Sequence, residues 1–124
     1  MSPAAPILLV KKPLAPAELS RLVGHPFQDM VKFVVDVERK IAAVGGELHA
    51  DAEEILIENG SRQSDLWGGN YFPGRGEGEC IVFNSLINIR PAAGNRSLTV
   101  EDPVLRDRIR AVVFVLIGRG EPLA

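Results

Sequence analysis

Two periods of hydrophobicity run through this chain, and the switch between them falls at Gly45-Gly46. Ahead of these glycines, Met30, Phe33, Val34, Val37, Ile41 and Val44 recur at spacings of three, one, three, four and three, as on one helical face. Asp29 suits the N-cap and the paired glycines suit the stop, so the spacing predicts a helix over 29–44. The β-branched Val31, Val34, Val35 and Val37 pull towards strand, but the pattern runs too long for one strand. Behind the glycines, Glu47 to Asp51 alternates, Ile55 to Glu58 is apolar and β-branched, and Asn59-Gly60 signals a turn. Leu66 to Phe72 reads as a strand in which Gly68-Gly69 invites a bulge or a close backbone approach. Cys80 to Ile89 reads as one long strand, ended by Pro91 and followed by a tight polar loop at Gly94-Asn95-Arg96-Ser97.

The two ends are plainer. Ile7 to Lys12, bounded by prolines, is an edge strand or arm. Pro16 takes a first helical position, Leu19, Leu22 and Val23 form its stripe, Gly24 stops it, and His25-Pro26 begins a turn. Asp102 caps a second helix with Pro103 in its first turn, a stripe of Leu105, Ile109, Val112, Val113 and Leu116, and a stop at Gly118. Its second half, Ala111 to Ile117, is apolar all round and must be covered on more than one side, which predicts a homo-oligomer. The sum is an α+β fold: an antiparallel β-meander with helices packed on one face and a long C-terminal helix.

Composition narrows the classes. At 124 residues, 46% hydrophobic and 24% charged, the chain is a single globular domain over 1–124, with 1–6 and 119–124 as flexible tails. The net charge of −2 conceals a division: eight acids face three bases between Asp36 and Asp65, and the remainder is positive. Ten arginines and four lysines, nearly balanced by acids and without interleaved aromatics, argue against nucleic acid. The polar loop Gly74 to Glu79 has glycines but no helix pattern behind it, so a dinucleotide site fails. Cys80 stands alone in an apolar run, which excludes an internal disulfide and favours a buried core thiol. Residues 1–10 lack the features of a secretory signal, and the longest apolar run falls far short of the ~20 residues that span a bilayer. A soluble, cytoplasmic protein without membrane contact is expected.

Candidate chemistry falls in two clusters. If 47–51 is extended, Glu47, His49 and Asp51 project from one sheet face, with Glu53 and Glu54 close behind. Imidazole beside carboxylates can work as acid and base, or ligate a divalent cation, so these three are candidate catalytic residues and a divalent metal a candidate cofactor. No H-E-x-x-H is present, two histidines cannot supply a three-histidine zinc site, and a solvated strand face gives the same pattern. The second cluster is Asn84, Ser85, Asn88, Arg90, Asn95 and Arg96. Arginine forks suit carboxylate or phosphate, and the Gly94-Asn95 turn can offer backbone N–H groups to an anion. Asn88, Arg90, Asn95 and Arg96 are therefore candidate ligand-binding residues, with Trp67 for stacking. The alternative for the arginines is ion pairing with Glu101 or Asp102, and for Trp67, Tyr71 and Phe72 it is packing.

The runs G-G-E-L-H-A-D, E-N-G-S-R-Q-S-D-L-W-G, S-L-I-N-I-R-P and G-N-R-S, followed by E-D-P and an arginine-rich helix, carry a resemblance. Over roughly Lys11 to Ile117 the chain resembles a family of small bacterial and archaeal proteins, a domain of unknown function. The resemblance implies a compact stand-alone protein and carries no activity or catalytic residue over to it. From the residues, the expectation is a protein that binds, with turnover left open, a small phosphorylated or carboxylated molecule between the His/carboxylate row and the Arg-bearing loop. The rival is a non-catalytic homo-oligomeric interaction module.

Overall fold

The computed structural model describes residues 6–24 and 26–123, and its regular elements follow one another as β1 (Ile7–Val10), α1 (Pro16–Leu22), β2 (Val31–Asp36), β3 (Ile41–Gly45), α2 (His49–Glu58), β4 (Leu66–Tyr71), β5 (Ile81–Val82) and α3 (Pro103–Leu116). The expected N-terminal tail, apart from Pro6, lies outside the described residues, as do His25 of the expected turn and Ala124.

The segment expected to be a helix over 29–44 is the β2–β3 hairpin, with Phe33 opposite Val44 and Asp36 opposite Ile41. Asp36 makes the reversal. Its Oδ1 accepts the N–H groups of Glu38 at 2.9 Å and Arg39 at 2.8 Å, and its carbonyl accepts that of Lys40 at 2.9 Å. Such a side-chain turn competes directly with a helix. The helical spacing arose because both strands are buried on both faces, and a doubly buried strand reads as a continuous apolar run that either period fits.

The sheet order is β1-β3-β2-β4-β5, antiparallel throughout, so β1 is an edge strand as its prolines suggest. Gly45, at φ +114, ends β3 where an added Cβ would strike the Pro6 carbonyl. The α+β class and the long C-terminal helix hold, but the helices divide between the faces. Leu19 and Leu22 of α1 and Ile109, Val112, Val113 and Leu116 of α3 pack with Phe33, Val35, Ala42, Val44 and Tyr71. Ala52 and Leu56 of α2 pack on the other side with Val34, Ile41, Ala43 and Leu66. The one-face expectation fails because it read 47–58 as strands; those residues form the helix that covers the second face. Nor is the order a plain meander, since β1 adds outside β3.

The expected strand over 80–89 is mostly irregular. Only Ile81 and Val82 pair with β4, opposite Tyr71 and Asn70. Beyond them Ser85 caps a short 3-10 turn over Leu86–Asn88, accepting the Ile87 N–H at 3.3 Å, and isolated bridges join Asn84 to Thr99 and Arg90 to Asn95. From Leu66 to Gly69, β4 has a strand neighbour only in β2. The Asp102 cap of α3 is present, its Oδ1 accepting the Val104 N–H at 2.9 Å. After α3 the chain ties back to β4 through the Gly120 N–H, which donates to the Tyr71 hydroxyl at 2.9 Å. No helix among the described residues is long and apolar enough to cross a membrane.

Candidate functional site

The row Glu47, His49, Asp51 is not a row. His49 is the first residue of α2, two residues ahead of Asp51 and so about 200° from it around the helix axis. Glu47 precedes the helix, and both carboxylates face solvent while His49 is only 8% exposed. The imidazole partner is a backbone group: Nε2 donates to the Gly69 carbonyl of β4 at 2.7 Å. Burial lowers the His49 pKa from 6.5 to about 4, against the pull of that hydrogen bond and helped by nearby Lys32. At neutral pH the ring is therefore uncharged, with its proton on Nε2 and Nδ1 left as an acceptor. No three His, Cys, Asp or Glu side chains gather as a metal site among the described residues.

The second cluster serves the open stretch of β4. Asn88 is fully buried and behaves as a substitute strand, accepting the Gly68 N–H and donating to the Gly68 carbonyl, both at 2.9 Å. It also donates to the Leu98 carbonyl at 3.1 Å. Asn95 pins the returning loop, donating to the carbonyls of Asn88, Ser97 and Thr99 and accepting the Glu101 N–H. Arg90 lies over the Trp67 ring at 4.5 Å, donates to the Leu66 carbonyl and stands 3.5 Å from Glu53 of α2. Its Nη1 finds no partner among the described residues, and burial lowers its pKa, partly offset by Glu53. The expected pairing of Arg90 or Arg96 with Glu101 or Asp102 takes another form: only the backbone N–H of exposed Arg96 meets Glu101, at 3.2 Å. His49, Asn88 and Arg90 thus do meet on one strand, at Gly69, Gly68 and Leu66, but as side-chain clasps on its backbone.

A cleft lies next to this clasp. Its volume is about 520 Å³, and it opens where α2 begins, between β2, β4 and the 84–87 turn. The geometry follows from strand alternation. Lys32 and Asn70 are cross-strand partners on the α2 side of the sheet, yet α2 starts only over the neighbouring Gly68-Gly69, so the helix leaves them uncovered. Glycine at 68 lets the walls close: a Cβ there would sit 2.8 Å from Ser85 Oγ and 3.1 Å from His49 Cδ2.

Lys32 is the only charged side chain lining this cleft among the described residues. No carboxylate pairs with it among the described residues, and its ammonium stands 5.2 Å from the Phe27 ring. Asn70 also lines the cleft, and its Oδ1 is buried without a hydrogen-bond partner among the described residues. Asn84 is already engaged by the Thr99 hydroxyl at 2.7 Å. Leu48, the N-cap of α2, has no side chain that could accept from the first-turn N–H groups, so the positive end of the helix is uncapped at the cleft wall. The remaining lining includes Phe27, Met30, Leu86 and Leu98. Arg90 opens instead into a separate depression with Gln63 and Ser64. Ser85 Oγ and His49 Cδ2 both approach Gly68, but Ser85 Oγ accepts the Ile87 N–H and no hydrogen bond joins it to the imidazole among the described residues, which does not make a nucleophile–base pair.

Lys32 and Asn70 escaped sequence reasoning because a helix over 29–44 puts Lys32 on a solvated face. The available signal was Val31-Lys32-Phe33-Val34-Val35, where a lone lysine interrupts a doubly buried strand. No curated protein and no solved structure matches the chain. The model of a protein family of unknown function, DUF5674, matches residues 8–116, from β1 to the end of α3, and the chain belongs to that family.

Proposed function

We propose that the protein binds a small organic anion, a carboxylate or phosphate ester, in the cleft at the start of α2. The observation that carries this reading is the Lys32 ammonium, among the described residues unpaired and the sole charge in a mostly apolar cleft. An isolated cation beside an uncapped helix start attracts one negative group. Asn70 supplies a hydrogen-bond acceptor and the apolar walls receive an organic body. In this reading His49 is a neutral wall and acceptor, and the anion sits on Lys32 rather than on Arg90 or Arg96. The single buried thiol, Cys80, fits a reducing, cytoplasmic setting.

Thermal-shift titration with a panel of small carboxylates and phosphorylated metabolites tests it. A ligand at a hundred times its Kd should stabilise the fold by about 2.7 kcal/mol. Lys32→Gln should abolish the shift and leave the ligand-free melting point within about 2 °C. A shift that survives in Lys32→Gln would refute the reading.

A second reading, association of two copies, has support in α3, where Val115 is 63% exposed beside a depression of about 450 Å³ shared with Val37, Ala111 and Leu116. It predicts a dimer by light scattering that Val115→Glu converts to monomer; a monomeric parent at high concentration would end it.

A further inference from the structure

The rim of the same cleft says more about its occupant. Three large apolar side chains stand exposed around the opening: Leu48 at 58%, Leu86 at 77% and Leu98 at 43%. They lie on three separate segments, the start of α2, the 86–88 turn and the strand-like return at 98–100, and converge on one mouth. Scattered single hydrophobics on a surface are ordinary, but a cluster rimming a charged cleft marks a place where something larger than the cleft is covered.

Resting on the small-anion reading above, we infer that the cleft receives the C-terminal end of a polypeptide whose last residues are apolar, its α-carboxylate on Lys32 and its chain laid across Leu48, Leu86 and Leu98. Three features select this chemistry. Lys32 and the uncapped first turn of α2 require an anion. The Asn70 Oδ1 is buried and unpartnered among the described residues as it stands, and a turn of the carboxamide about its soft terminal torsion presents it to the cleft as an acceptor for a donor beside that anion. A fatty acid or an inorganic phosphate has no N–H next to its charge; a C-terminal residue does. A free amino acid has one too, but it is an ammonium, and it would enter a cleft that already holds the Lys32 ammonium. An amide N–H answers Asn70 without that repulsion. The capture of a chain-end carboxylate by backbone N–H groups is a general mode of peptide recognition. The exposed rim then decides between one acylated residue and a longer chain, because a single residue would leave the three leucines in water.

Fluorescence polarisation tests this with pooled fluorescein-labelled hexapeptides, Gly-Ser-Gly-Ser followed by every pairing of Leu, Val, Phe and Met, each with a free or an amidated C-terminus. N-acetyl-leucine, free leucine and octanoate serve as unlabelled competitors. The free-carboxylate pool should bind at least ~10-fold more tightly than the amidated pool, and Lys32→Gln should erase that difference, as loss of a charge-assisted contact requires. Leu86→Ser should weaken the peptides by at least ~5-fold more than it weakens N-acetyl-leucine, as loss of a rim contact that the longer chain covers more fully requires. Equal binding of both pools overturns the inference. So does N-acetyl-leucine or octanoate matching the best peptide, although a Lys32-dependent octanoate would leave the small-anion reading standing. If no probe in this set or in the thermal-shift panel binds in a Lys32-dependent way, both readings fall together.

Discussion

Replacing Asn88 with alanine is expected to lower the free energy of unfolding by about 3–5 kcal/mol, a loss on the scale reserved for broken buried networks. The reason is local to β4. From Leu66 to Gly69 this strand has no strand beside it on the β5 side, and Asn88 alone supplies the missing partner for both the N–H and the C=O of Gly68. Truncation leaves those two groups without their partner in a site that water does not reach, and strips the Leu98 carbonyl of one of its two donors, the Ser85 N–H remaining. Each stranded buried group costs about 1–3 kcal/mol, against the ~1 kcal/mol net worth of an ordinary hydrogen bond. Asn88→Asp should be no rescue. It keeps an acceptor for the Gly68 N–H, but it removes both donors and buries a charge with no cation on it. Urea unfolding of the three proteins measures this directly, and hydrogen exchange at the Gly68 amide locates it, since that proton should lose its protection first. A change below about 1 kcal/mol in Asn88→Ala would show that the 83–101 segment holds without its clasp.

That clasp also shows what was and was not legible in the chain. The α1 and α3 helices were readable because their starts carry proline and, in α3, an Asp102 cap that the structure uses. β4 was readable from its aromatic and glycine-bearing run. The β2–β3 hairpin was not, because Val31 to Val35 buries both faces and leaves period alone unable to choose. α2 was hidden for the opposite reason: its N-cap is Leu48, a residue with no capping chemistry, so the polar alternation before it imitated a strand. The polar residues Asn84 to Arg96 were legible as a polar cluster. Their partners could not be, because side chains that bond backbone carbonyls leave no pairing pattern in a sequence. Lys32 was lost with the hairpin, and the cleft with Lys32.

Lowering the pH from 7 towards 4 is expected to destabilise the fold through His49, independently of any carboxylate. In the folded protein burial holds this imidazole at a pKa of about 4, whereas in the unfolded chain it returns to 6.5. As the pH falls through 6.5 the unfolded chain takes up the proton first, so between the two values it binds more protons than the native state, and stability must fall with pH. The contribution is complete above 6.5, is lost progressively down to about 4, and changes no further once both states are protonated. Its ceiling is on the order of 3 kcal/mol, reduced by whatever solvent still reaches the ring edge. The Glu121 carboxylate, held below the ordinary range by the Arg119 N–H, loses its own contribution at lower pH still. His49→Gln separates the two effects, because its amide can donate to the Gly69 carbonyl without titrating. Unfolding free energies for both proteins, measured at half-unit steps from pH 7.5 to 4, should converge as the pH falls, with the parent losing about 2–3 kcal/mol more than the variant. Parallel curves would mean that His49 titrates in the fold as it does in the unfolded chain, so that below pH 6.5 the wall of the cleft carries a second cation beside Lys32.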